Sequence, residues 1–277
     1  MGLRINTNTQ SLRAQNAMSK VEGAKSDSLA KLSSGSRINK AGDDAAGLAI
    51  SEKLKANIRG SQQATRNAGD GISMIQTAEG GLNEVSNILI RLRELSVQTA
   101  SDTVGDTERK FADLEFQNLT QEVDRIAAST QFNGKTLLTG EGESLDFQVG
   151  IMNDPMNDRL SYKPQESSAR TSDLGIEGLG VMTKVNAQEN LEKIDNAING
   201  INGNRASLGA LQNRLQSTIS NLETRTENLA AANSRIRDTD VAAESAELAK
   251  NNILSAASVS VLSQANSSGA GALKLIG

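Results

Sequence analysis

The stretch LEKIDNAINGINGNRASLGALQNRLQSTISNLETRTENLAAANSRI, residues 191–236, decides how the chain is read. Ile194, Ile201, Leu208, Leu215, Leu222, Leu229 and Ile236 recur every seven residues. Leu191, Ile198, Leu211, Ile219 and Ala232 fall between them at spacings of three or four. On a helix of 3.6 residues per turn such a set forms one apolar stripe, and a stripe held this long reads as a coiled-coil seam. An internal helix of a globular bundle is the competing reading.

The same idea appears earlier in the chain. Ile75, Leu82 and Leu89 lie seven apart, with Ala78, Val85 and Leu92 between them and Ile72, Ile88 and Leu95 widening the stripe. Leu54, Ser61 and Ala68 carry the register backwards. A helix from about Asp44 to Ala100 would be on the order of 80 Å long. Gly60, Gly69, Gly71, Gly80 and Gly81 sit inside it. Each costs about 1 kcal/mol relative to Ala in a helix interior, so they mark either helix breaks or places of close backbone approach. Ser101 to Asp106 reads as a turn, with Asp106 or Thr107 as cap of a further helix carrying Phe111, Leu114, Leu119, Val123 and Ile126.

Only two prolines occur, Pro155 and Pro164, both near the middle. Proline ends helices, so their placement leaves two long arms around a short irregular centre. Within that centre Phe132-Asn133-Gly134-Lys135 is a tight-turn signal. Leu145, Phe147 and Val149 alternate with Asp146 and Gln148 and predict a strand. Arg159 to Tyr162 is its expected partner across Asn153-Asp154-Pro155.

Composition narrows the function. Aromatic residues make up 2% of the 277, too few for one thick core. Thin helical layers sealed by neighbouring copies fit better. There is no Cys, no His and no Trp, which removes thiolate chemistry and the commonest general base and metal ligand. Net charge is −4 with both signs interspersed, unlike the basic stripe of a nucleic-acid binder. No run approaches the ~18 apolar residues of a membrane span, and Met1 to Gln10 reads as no signal peptide. No catalytic, cofactor or metal site is expected. Acidic residues are numerous, but a glycosidase-like carboxylate pair would need a concave pocket that such a thin fold does not supply.

Both ends carry loosely spaced apolar residues in a polar, small-residue background. They hold too little apolar surface to outweigh the entropy of ordering, ~1–2 kcal/mol per backbone residue. The expectation is that they order only against each other and against further copies. The predicted fold is mostly α: a long antiparallel coiled-coil bundle with one small β-hairpin, and terminal helices paired in a separate inner coiled coil. The expected parts are 1–43 and 239–277 for the inner domain, and 44–182 and 183–238 for the outer one.

Several motifs, in order, resemble bacterial flagellin. In the N-terminal part these are Ile5-Asn6-Thr7-Asn8, Leu32 to Asn39, Asp43 to Ile50, Arg66 to Ser73, Glu79 to Glu84, Arg91 to Gln98 and Thr130 to Gly134. In the C-terminal part they are Arg205 to Leu215, Ser234 to Asp240 and Val261 to Asn266. Only about 45 residues separate the two matching regions, so the large variable outer domains of many flagellins have no counterpart here.

The resemblance implies a subunit that polymerises into a hollow extracellular filament used as a propeller. Its partners would be further copies of itself, the hook-junction and cap proteins, and a cytoplasmic export chaperone at Val241 to Gly277. Export would be through the flagellar channel, unfolded. The resemblance also places Arg91, Leu95, Gln98 and Glu115 on or near the face that Toll-like receptor 5 reads in related flagellins. Filament packing alone is the other account of those four residues. A junction protein or a secreted tip protein would share the heptads.

Overall fold

The computed structural model describes residues 8–274; Ile5-Asn6-Thr7 of the first motif and the last three residues of the chain lie outside that range. Among the described residues, the helices are α1 (Thr9–Ser34), α2 (Ala45–Thr99), α3 (Asp106–Ser129), α4 (Lys184–Arg237) and α5 (Val241–Lys274). Four short strands lie between α3 and α4: β1 (Gln131–Phe132), β2 (Lys135–Thr136), β3 (Leu145–Gln148) and β4 (Arg159–Tyr162). The chain divides into two compact units, residues 1–57 with 228–277, and residues 58–227.

In the larger unit the predicted stripes face inward. Ile75, Leu82 and Leu89 of α2 and Ile194, Ile201, Leu208 and Leu215 of α4 are buried in one cluster. Leu222 is buried as well. Arg93 meets Asp195 at 2.6 Å and Glu79 meets Arg205 at 3.7 Å. Rising numbers on α2 therefore pair with falling numbers on α4, and the two run antiparallel. α3 adds Phe116, Thr120, Val123 and Ala127, again at spacings of three and four. Exposed ion pairs such as these fix register more than they stabilise.

The Asn133-Gly134 turn closes its own two-residue hairpin, with Gln131 opposite Thr136 and Phe132 opposite Lys135. Asn133 has φ 48 and Gly134 φ 77, the left-handed conformations such a turn requires. β3 and β4 pair antiparallel from Leu145–Tyr162 to Gln148–Arg159. Two small hairpins thus stand where one was expected, because the short turn brings enough flanking backbone together to form its own ladder.

The expected side-chain cap of α3 is also replaced. Gly105 occupies the cap position without a side-chain hydrogen bond, and Asp106 is the first helical residue. Arg109 reaches back instead, donating to the carbonyls of Thr99 at 3.1 Å and Ser101 at 3.0 Å. A cation there satisfies orphan carbonyls at the end of α2.

No break occurs at the glycines, since α2 is continuous from Ala45 to Thr99. At Gly71 the Phe147 ring lies 3.1 Å from where a Cβ would stand. At Gly81 the corresponding neighbours are Thr130 Oγ1 at 2.6 Å and Leu138 Cδ1 at 2.7 Å. Side chains of the hairpins and the adjoining loop, not another helix backbone, make the close approach. Gly80 is exposed and has nothing within 4 Å. Gly80→Ala should therefore raise the melting temperature by roughly 2–4 °C through helix propensity, whereas Gly81→Ala should lower it. A calorimetric scan in which both variants move in the same direction would contradict this packing.

Tyr162, the sole tyrosine, is buried and donates its hydroxyl to the Leu137 carbonyl at 2.6 Å. Burial pushes its phenol above the ordinary value, partly opposed by a hydrogen bond with Ser167. An acid whose folded pKa is raised stabilises fully below its unfolded pKa, and that contribution is lost as pH rises through the folded value. Absorbance titration of this single chromophore should give a midpoint above ~10 in the native monomer and near ~10 in denaturant. Coincident midpoints would mean the ring is not buried.

Candidate functional site

The four residues singled out for recognition fall on α2 and α3 of the larger unit, but they do not share one surface. Arg91 Nη2 meets Glu115 at 2.8 Å and Arg91 Nη1 meets Glu94 at 2.9 Å. The Arg91 guanidinium is held above its ordinary value by Glu94 first and by Glu115 second. Arg91, Gln98 and Glu115 are exposed. Leu95 is 2% exposed and belongs to the aliphatic cluster beneath them. The surface is thus a polar trio over a core leucine. Glu94, the other partner of Arg91, lies inside the Arg91 to Gln98 motif but is not one of the four residues singled out.

α3 carries a second feature beside Glu115. Phe111 is 72% exposed and Leu114 67% exposed. Both are among the apolar residues that this helix carries, and neither turns inward. At 100° per residue they lie on the side of the helix away from Phe116, Thr120, Val123 and Ala127. Ile90 and Val97 on α2 are likewise exposed. Large apolar side chains left open in one region of a molecule are the usual sign of a contact with another chain.

The acidic residues nearest this region have structural tasks. Asp124 accepts from the Thr171 amide at 2.9 Å and the Thr171 hydroxyl at 2.7 Å. Asp113 accepts from the Val181 amide at 2.7 Å. Gln117 and Asn190 donate to the carbonyls of Leu179 and Gly180 at 2.7 and 2.9 Å. Together they fasten the irregular segment 169–181 and satisfy its backbone. A shallow groove of about 300 Å³ beside Asp124, Arg170 and Glu177 is open to solvent. Among the described residues no group of three or more Asp or Glu is placed to hold a metal ion. No described helix is long and apolar enough to cross a membrane.

The smaller unit supplies the other surface. α1 and α5 lie side by side and antiparallel. Asn8 Nδ2 donates to the Ala265 carbonyl at 2.9 Å, Ser11 bonds Asn266 at 2.7 Å, and Lys31 meets Glu244 at 3.9 Å. The last residues of α4 join them: Arg37 N donates to the Arg237 carbonyl at 2.6 Å and Thr239 N to the Gly35 carbonyl at 3.0 Å. Leu229 and Ile236, at the end of the seven-residue series, are half-buried. Among the described side chains of α1 and α5, those fully buried are Ser28, Asn251 and Ala265. Leu12, Leu29, Val241, Ile253, Leu254, Val259 and Val261 stay exposed, Ile253 at 71%. Met18, Val21 and Leu32 of α1 and Leu248 and Leu262 of α5 are half-buried, so the pair meets through a thin mixed seam and leaves the seven aliphatic side chains just named uncovered.

These placements separate a core leucine from open apolar contacts. Leu95→Ala should cost the monomer ~2–5 kcal/mol. Phe111→Ser should leave the monomer melt within a degree or two, as exposed substitutions do. Chemical denaturation showing equal losses for both would place Phe111 in the core as well.

Comparison with known proteins agrees with this architecture. The model of the bacterial flagellin N-terminal helical region matches residues 5–143, and that of the C-terminal helical region matches 191–276. A flagellin of Halalkalibacterium halodurans is 44% identical over 98% of this chain and 99% of its own length. A flagellin of Bacillus subtilis is 41% identical over 99% of this chain and 100% of its own. The crystal structure of Bacillus cereus flagellin is similar at 32% identity and a TM-score of 0.50, covering 61% of this chain and 94% of that one.

Proposed function

We infer how this chain, which belongs to the bacterial flagellin family, divides its work between its two compact units. As a flagellin it is a structural subunit of the extracellular flagellar filament and not an enzyme. The smaller unit, with its terminal segments, forms the innermost tube of the polymer, and the larger unit forms the layer outside it. The observation that carries this reading is the open row of aliphatic side chains on α1 and α5. A helix pair that fully buries only Ser28, Asn251 and Ala265 among its described side chains, with Met18, Val21, Leu32, Leu248 and Leu262 half-buried, gains modestly from its own contact. It gains far more when Ile253, Val259 and Val261 meet copies of themselves, at about 25 cal/mol per Å² of apolar surface covered. A repeated head-to-tail contact that does not close into a ring then yields a filament.

Several further partners follow from the same open faces. Before assembly the exposed side chains of α5 need cover in the cytoplasm, and an export chaperone bound over Val241 to Gly277 would supply it. The subunit then travels unfolded through the export channel. The absence of cysteine leaves no disulfide to obstruct that passage. The hook-junction and cap proteins meet the chain at the two ends of the polymer. Arg91, Gln98 and Glu115, with Leu95 supporting them from beneath, form the contact for Toll-like receptor 5 on the free monomer. The exposed Phe111 and Leu114 beside Glu115 extend this face and also serve packing between copies.

Polymerisation of the purified chain tests the division. Electron microscopy should show long hollow fibres, and Ile253→Asp with Val259→Asp should abolish them while the melt of the larger unit stays unchanged. Helix content measured by circular dichroism should increase on assembly. Rings, caps or persistent monomers, or fibres formed equally by the doubly charged variant, would count against the inner-tube role. For the receptor face, Arg91→Ala should weaken monomer binding to the receptor ectodomain in a direct binding assay, and unaltered binding would leave that surface to filament packing.

A further inference from the structure

The chain contains three Asn-Gly pairs: Asn133-Gly134, Asn199-Gly200 and Asn202-Gly203. An asparagine followed by glycine is open to an internal reaction. The backbone nitrogen of the glycine attacks Cγ of the asparagine, a new C–N bond forms, and the carboxamide nitrogen leaves as ammonia. Water then opens the five-membered imide to aspartate or isoaspartate. The balance is one water consumed and one ammonia released, with no oxidant or cofactor. Glycine favours the step because it puts no side chain in the path of the attack and lets the backbone swing into the required geometry.

The fold treats the three pairs differently. Asn199-Gly200 and Asn202-Gly203 lie well inside α4, Lys184–Arg237. Their glycine amides belong to the i→i−4 ladder, and the helical backbone holds each nitrogen away from the preceding side chain. Reaction there requires local opening of the helix first. Asn133 and Gly134 are both exposed, at the tip of the β1–β2 hairpin. Asn133 stands at φ 48, a conformation that a residue other than glycine seldom adopts. Neither its carboxamide nor the Gly134 amide forms a hydrogen bond with another described residue. From this contrast we propose that Asn133 is a self-modification site of the folded protein, converted by its own backbone to aspartate and isoaspartate, while the two pairs in α4 are protected.

The site matters because of what the hairpin holds. The Leu137 amide donates to the Thr130 carbonyl at 3.1 Å, so the hairpin base is a closed loop. The Leu137 carbonyl accepts from the Tyr162 hydroxyl, and Leu138 packs over Gly81. Isoaspartate inserts an extra backbone carbon into a two-residue turn. The pairing of Gln131 with Thr136 and of Phe132 with Lys135 cannot then be kept on both sides of the turn. Aspartate keeps the register and adds one negative charge at an exposed point.

The full chain, incubated folded at mildly alkaline pH and digested with trypsin under acidic conditions that suppress further reaction, reports the sites separately. Ile126 to Lys135 contains Asn133, and Ile194 to Arg205 contains both α4 pairs. The first peptide should gain one mass unit at least about tenfold faster than the second, because the second must wait for helix opening. In concentrated guanidinium the two rates should come within a few-fold of each other. An isoaspartyl methyltransferase should label the aged first peptide, and Asn133→Gln should remove that label from the folded chain. Equal rates in the folded chain, or a first peptide that stays unmodified while the unfolded chain reacts, would overturn the proposal. None of these readouts depends on whether the protein polymerises.

Discussion

An unbroken row of aliphatic side chains shared by two antiparallel helices is the constraint on which the larger unit depends. Ile75, Leu82, Leu89 and Leu92 on α2 close against Ile194, Ile201, Leu208 and Leu215 on α4 within one cluster. Removing such surface from water contributes about 25 cal/mol per Å², and the row supplies it without any large aromatic. Polar pairs at its margin, Arg93 with Asp195 and Arg205 with Glu79, set which turn of one helix meets which turn of the other. α3, the hairpins and segment 169–181 are placed by this row, since each buries its apolar residues against it.

The cover over that row is irregular, and irregular backbone has polar groups to satisfy. Asp113, Gln117 and Asp124 on α3, with Asn190 on α4, provide the partners, so the charged and amide side chains here do the work a ladder does in a sheet. Tyr162 ties the second hairpin to the Leu137 carbonyl at the base of the first. The glycines of α2 are the counterpart on the helix: a side chain at Gly71 or Gly81 would occupy space already taken by Phe147, Thr130 or Leu138. A helix-weakening residue is tolerated there because close packing on its face compensates.

The smaller unit follows a different rule. Its two helices hold each other through amides, hydroxyls, small side chains and a few half-buried aliphatic groups such as Met18, Leu32, Leu248 and Leu262, while Ile253, Val259 and Val261 stay open. For an isolated molecule this is a poor arrangement, and for a filament subunit it is what repetition requires. On the inner-tube proposal, surface that the monomer leaves open is covered in the polymer, and the stability of this unit then belongs to the assembly more than to the chain. The exposed Phe111 and Leu114 on α3 show the same incompleteness in the larger unit on a smaller scale.

Periodicity alone determined the long helices, because a seven-residue repeat is a local property that only one backbone geometry can turn into a single stripe. The two prolines and the alternation at Leu145 to Val149 likewise located the irregular centre and its strands from neighbouring residues. Motif order was enough to indicate the family. The remaining decisions needed the tertiary structure. Phe111 and Leu114 have the same chemistry as Phe116 and Val123, and only the rotational setting of α3 against α2 separates open from buried. For Leu95 the sequence offered both the apolar stripe and, by resemblance, a receptor-facing surface, and its burial in the cluster decides for the stripe. Arg109, Asp113 and Asp124 look like ordinary solvated charges until backbone from elsewhere in the chain arrives beside them. Spacing along a chain reports what one segment presents, whereas a contact depends on what a distant segment brings to meet it.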